Sequence, residues 1–204
     1  MRQAATQELY SYWNQLRGAR LSPEREEIDP TAIRHILADT MILEVDDERQ
    51  FPIRISGSRL NALFLSEQKG ASFVSLFEPE ERASLSAMIL SVLDGVRPVV
   101  AGLTAAPEGG EPINIELLLL PLRHHGRTHA RLLGSLTPLS LPSWFGLRQA
   151  RCLRVISLRF VENGELGPAM PLLQKPTASR TPADLAQRLK SRSRAFFVIH
   201  GDRA

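Results

Sequence analysis

The chain has 204 residues, 43% of them hydrophobic, and a formal net charge of +3. That is enough apolar material for one domain with extensions or two small ones, and it excludes wholesale disorder. The single cysteine, Cys152, excludes a disulfide framework and fits a cytoplasmic protein. The charge is unevenly spread: residues 148–204 hold eleven Lys and Arg against four Asp and Glu, whereas residues 1–147 hold fourteen against eighteen.

In chain order, the opening residues lack the apolar core of a signal peptide. Leu9, Tyr12, Trp13 and Leu16 fall at i, i+3, i+4 and i+7, the stripe of an amphipathic helix, and Gly18 supplies its stop. Residues 1–29 thus read as an N-terminal helix and linker. Asp29-Pro30 marks the start of a short helix carrying Ile33, Ile36 and Leu37. Met41 to Val45 and Phe51 to Gly57 read as the two strands of a hairpin, with Ile53 and Ile55 expected on one face and Arg54 on the other. Short helical stretches follow around Leu60, Leu63 and Phe64, with Ser58 as the expected cap, and around Phe73, Leu76 and Phe77. Glu78-Pro79-Glu80-Glu81 opens a longer helix whose Leu85, Met88, Ile89 and Val92 share one side.

Three antiparallel strands are expected next: Pro98 to Thr104, Pro112 to Leu122 and Ala130 to Leu136. In the middle one Ile113, Ile115, Leu117 and Leu119 share a face opposite Asn114 and Glu116. Residues 30–140 form the body on this reading and 141–204 a C-terminal extension. Within that extension Leu153 to Phe160 reads as a strand or a segment laid on the body, 163–182 as a linker, Ala183 to Leu189 as a short basic helix, and Ala195 to Ile199 as an apolar strand pairing with an edge in this chain or another.

No catalytic constellation stands out, and the expectation is a non-enzyme. Gly109-Gly110 lacks the Lys and Ser/Thr of a phosphate loop, and Gly57-Ser58-Arg59-Leu60 is not a nucleophile elbow. His124, His125 and His129 are the one histidine cluster. Adjacent residues of an extended chain point to opposite faces, so no metal site is assigned. The longest apolar run, Leu117 to Leu120, is far short of the ~20 residues of a membrane helix.

The order of hairpin, short helices, long helix and three strands resembles the PAS fold. The similarity is closest to a bacterial group of small single-domain PAS proteins, which carry a Trp-containing first helix, an acidic-Pro helix start and a strand ending in Arg-x-x-Gly. Tyr12-Trp13, Asp29-Pro30 and Arg54-Ile55-Ser56-Gly57 stand in those places, with Glu78-Pro79-Glu80-Glu81-Arg82 and Arg97-Pro98 further on. The resemblance covers residue 7 to about 137, and Phe196 to Asp202 is similar to the group's C-terminal strand. A departure is Leu65-Ser66 after Phe64, where the group often has Gly.

The resemblance implies an α+β, PAS-like five-stranded antiparallel sheet with helices on one face, an N-terminal helical extension and a C-terminal apolar and basic extension. It implies a sensory or regulatory module working through a protein partner, with homo-oligomers expected. The contact surface is placed on Tyr12, Trp13, Leu16, Arg54 and Glu116. Arg54 and Glu116 are taken to lie on neighbouring strands, where they form a surface ion pair or mark that contact surface. Haem and flavin are disfavoured: residues 79–94 contain no His, residues 70–78 no Cys, and the cofactor stays unknown.

The space between sheet and long helix is lined by Ile53, Ile55, Phe64, Phe73, Leu76, Phe77, Leu85, Met88, Ile89, Leu117 and Leu119. It is either a filled core or a pocket for a small apolar ligand. Nucleic-acid binding through Arg188, Lys190, Arg192 and Arg194 is a further alternative, disfavoured because no aromatic stacking platform accompanies them.

Overall fold

A computed structural model describes residues 1–162 and 164–170, without the side chains of Thr128 and His129. The expected elements within 163 and 171–204 (most of the linker, the basic helix, the cations Arg188, Lys190, Arg192 and Arg194, and the terminal strand) lie outside the described residues. Among the described residues the sheet has seven strands: β1 (Thr40–Glu44), β2 (Ile53–Ser56), β3 (Val99–Pro107), β4 (Ile113–His124), β5 (Arg127–Pro138), β6 (Ala150–Glu162) and β7 (Glu165–Leu166). Their order is β2-β1-β5-β4-β3-β6-β7, and every pairing is antiparallel. The count is seven, not five, because the stretch around Leu153 to Phe160 is a long strand beside β3 that carries β7 with it.

Helix α1 (Ala4–Arg17) ends on Gly18, whose φ of 55° needs a residue without a Cβ. Helix α2 (Ser58–Phe64) starts from Gly57 as N-cap with no side-chain cap, so Ser58 is its first helical residue and not its cap. Helix α3 (Arg82–Asp94) follows the acidic-Pro start. The stretch after Asp29-Pro30 is not an α-helix. It is a chain of turns closed by i→i+3 bonds, such as Ala32 N–H to Asp29 O and Ile36 N–H to Ile33 O, ending in a 3-10 turn at Leu37–Asp39. Asp29 keeps its capping role locally: its carboxylate accepts the Thr31 N–H at 2.8 Å.

Both faces of the sheet are apolar, which explains why β4 reads almost continuously hydrophobic. The inner-face cluster joins Ile53, Phe64, Phe73, Phe77, Leu85, Ile89, Leu117 and Leu119 beneath α2 and α3. The outer-face cluster sets Leu9 and Trp13 of α1 against Ile42, Leu118, Leu120, Leu122 and Leu133, with Ile28, Ile33 and Ile36 beside them. Among the described residues helices therefore lie on both faces, with α1 alone on the outer one.

Candidate functional site

The inner-face residues named from sequence come together as expected, with one exception. Phe64, Phe73, Leu76, Phe77, Leu85, Met88, Ile89, Leu117, Leu119 and Ile53 are all buried, and Phe73 and Phe77 meet edge-on at 5.3 Å. Ile55 is the exception, 45% exposed on the outer side. The pairing runs Ile42 to Ile55 but Leu43 to Ile53, so two steps on β2 match one on β1. Arg54 is the extra residue of a β-bulge, and the alternation that should put Ile53 and Ile55 on one face is broken there.

The expected neighbouring of Arg54 and Glu116 is also corrected. Strands β1 and β5 separate β2 from β4. Arg54 pairs with Glu44, which Arg131 also reaches at 3.1 Å, and the Arg54 hydrogen bond holds the Glu44 carboxyl below its ordinary range. Glu116 is buried on the outer face and accepts the backbone N–H groups of Arg2 at 2.7 Å and Gln3 at 3.0 Å. A carboxylate from β4 thus closes the N-terminus of α1, where free N–H groups and the helix dipole favour negative charge.

Trp13 is 2% exposed, and its indole N–H donates to Pro121 O at 2.9 Å. Tyr12 and Leu16 are half-buried at the flank of the same helix, and the Tyr12 hydroxyl accepts the Asp29 N–H at 2.8 Å. Of the expected contact surface, then, Trp13 and Glu116 are engaged within this chain, and Tyr12, Leu16 and Arg54 reach solvent.

Helix α1 runs over β4 and β5 and leaves a recess on each side. Over β1 and β2 a pocket of about 390 Å³ is lined by Ile28, Ile33, Leu37, Ile42, Ile55 and Leu133, with Arg25 and Ser58 at its polar edge. Over β3 and β6 a second pocket of about 320 Å³ is lined by Val100, Gly102, Glu116, Leu139, Ile156, Arg159 and Leu166. Ile156 is the counterpart of Arg54: it is the extra residue of a bulge opposite Gly102 and Leu103, and it is 62% exposed. Bulges that re-aim one side chain are not visible as a pattern in sequence, so neither recess could be anticipated.

Between Ala38 and Thr40, which line the first recess, Asp39 is a buried carboxylate. Arg59 contacts one oxygen, and the other, Oδ1, has no hydrogen-bond partner. Burial pushes the Asp39 carboxyl above its ordinary value of 3.8, and the Arg59 charge only partly offsets this. The folded chain therefore holds this proton more tightly than the unfolded chain. The associated stability is full below that ordinary value and is lost as pH rises through the raised one. Asp39→Asn is expected to flatten that slope: its urea midpoint, relative to wild type, should improve as pH rises above the ordinary carboxyl value. Parallel pH profiles for the two proteins would count against it.

Cys152 is half-buried and burial pushes its thiol up, the condition of an unreactive cysteine. Among the described residues no helix is long and apolar enough to cross a membrane.

The family comparison agrees with this architecture. A family model described as "PAS domain" matches residues 1–137. A search of curated proteins returns no match. Among solved structures, the chain is similar to a LOV protein of Rhodobacter sphaeroides at 17% identity and a TM-score of 0.41, covering 57% of this chain and 71% of that one. It is also similar to the PAS domain of a protein from Colwellia psychrerythraea at 14% identity and a TM-score of 0.40, covering 54% and 98%. With the order β2-β1-β5-β4-β3 flanked by α2 and α3, and with two thirds of its length matched, the chain belongs to the PAS domain family.

Proposed function

We propose that this chain is a non-enzymatic, cytoplasmic regulatory PAS module that acts by pairing with another protein surface, a second copy of itself in the first instance. The observation that carries this reading is the half-covered outer face. Among the described residues helix α1 protects only the central strands, and apolar side chains are exposed on both flanks: Ile55 and Leu37 on one side, Ile156 and Leu166 on the other. Two apolar margins on one face are the kind of surface that partners cover. The buried inner cluster supports a packing role for the residues beneath α3, which leaves the outer face as the surface free to communicate.

Light scattering on the eluting protein tests this. A dimer is expected at micromolar concentration. Ile55→Arg and Ile156→Arg, both at exposed positions, should shift the population toward monomer by about tenfold in dissociation constant or more. A monomer at every concentration, or a dimer indifferent to both substitutions, sinks the reading. The alternative of a small apolar ligand between α3 and the sheet predicts extra mass on the purified protein under native mass spectrometry.

A further inference from the structure

The β4–β5 hairpin carries a group of side chains that the reading above does not use. His124 closes β4, and His125 and Gly126 form the two-residue turn, with φ of 50° and 78°. Positive φ at both positions is the signature of the turn that matches strand twist. For a histidine it is an uncommon conformation, of a kind that collects at functional sites. It also cancels the extended-chain argument against a shared face. The two rings lie 4.1 Å apart, tilted by 40°, on the same side of the hairpin end.

A third group comes from the N-terminal segment. The 3-10 turn Arg25–Glu27 is held beside the end of β4 by a bridge between Glu24 and Arg123. The Arg123 N–H donates to Pro23 O at 2.9 Å, and the Arg123 guanidinium lies 3.2 Å from the Glu24 carboxylate. This places Glu26 Oε1 2.9 Å from His124 Nδ1. His124 Nδ1 is buried, and the Glu26 carboxylate is the group that faces it. One ligand atom from each of Glu26, His124 and His125 lies within 4.8 Å of the other two.

We propose that Glu26, His124 and His125 form a binding site for a late first-row divalent cation such as Zn²⁺ or Cu²⁺. Two imidazoles and one carboxylate are the donor set such ions take, whereas Mg²⁺ and Ca²⁺ prefer oxygen throughout. Bonds of about 2.0–2.2 Å put tetrahedral ligand atoms roughly 3.3–3.6 Å apart, close to the spacing of these three groups. Three protein ligands leave the fourth position to water. The ion would fasten the segment that leads into Ile28 and the first recess to the tip of the central hairpin.

The test uses untagged, EDTA-treated full-length chain. Isothermal titration with ZnCl2 at about pH 7.5 should show one equivalent bound. The binding should disappear at about pH 5.5, where imidazoles are protonated. Copper loaded at the same site should show nitrogen hyperfine splitting from two imidazoles by electron paramagnetic resonance. His125→Ala, at an exposed turn, should weaken binding at least about tenfold, and Glu26→Gln should weaken it further in combination. His35→Ala, His129→Ala and His200→Ala should leave it unchanged. Circular dichroism of each variant establishes that the fold is retained. No stoichiometric zinc binding, binding that survives His125→Ala, or binding lost instead with His129 or His200 overturns the proposal.

Discussion

Trp13→Ala is expected to destabilise the protein by about 3–5 kcal/mol, the range for emptying a buried aromatic site. Three effects act together. The indole is the largest side chain between α1 and the sheet, filling space over Leu118, Leu120 and Leu122. Its N–H satisfies Pro121 O, a strand carbonyl that would otherwise lack that donor. Helix α1 has 14 residues, too few to persist unless its apolar face is docked. The loss should therefore be partly local. Amide exchange in residues 4–17 should accelerate more than in β4, and limited proteolysis should clip before Asp29. A change in denaturation free energy below about 1 kcal/mol, or unaltered exchange in α1, would contradict the cis docking of this helix.

Gly57→Ala should be comparably severe, at about 3 kcal/mol or more. Backbone at this position is ordinary, with φ −68° and ψ 153°, so conformational freedom is not the reason for glycine. Crowding is. An added Cβ would fall within 2.7 Å of the carbonyl oxygens of Leu37 and Thr40, and closer still to that of Ala38. All three are backbone atoms, pinned by the Gly57 N–H to Thr40 O bond at 2.8 Å and by β1 itself, so relief requires moving a strand. The urea midpoint should fall with little change in slope. An alanine variant within about 1 kcal/mol of wild type would show that the Leu37–Thr40 turn yields where packing says it cannot.

Gly57 illustrates what could be read in advance. Its place in Arg54-Ile55-Ser56-Gly57 was one of the resemblances to the PAS group, and the crowding under Leu37–Thr40 supplies a physical reason for it. Periodicity found α1, α3 and the β3–β5 meander, because those elements bury one regular stripe or alternate faces cleanly. It failed where regular spacing stops meaning a regular face. The bulge at Arg54 sent Ile55 outward, the turns after Asp29 replaced a helix, and the positive φ of His125 brought two adjacent rings together. The Trp13 stripe was legible as helical, but its partner was not. The pattern says that one side is apolar, and only strand order tells that the outer face of β4 and β5 receives it.

The last strand also changes where the folding unit stops. The matched region ends at residue 137, yet β6 pairs along β3 from Ala150 to Phe160, the Glu78 N–H donates to Leu153 O, and Glu81 accepts the Val155 N–H at 3.0 Å. A shortened version cut at the family boundary would strip Leu153 and Leu158 from the interior and leave the amides and carbonyls on the β6-facing edge of β3 unpaired. Such an edge is a template for sticking to other chains. Limits drawn at the family boundary alone are therefore expected to yield an aggregating fragment, and a version meant to stay monodisperse should retain the sequence through Met170, whose backbone still bonds to Leu158.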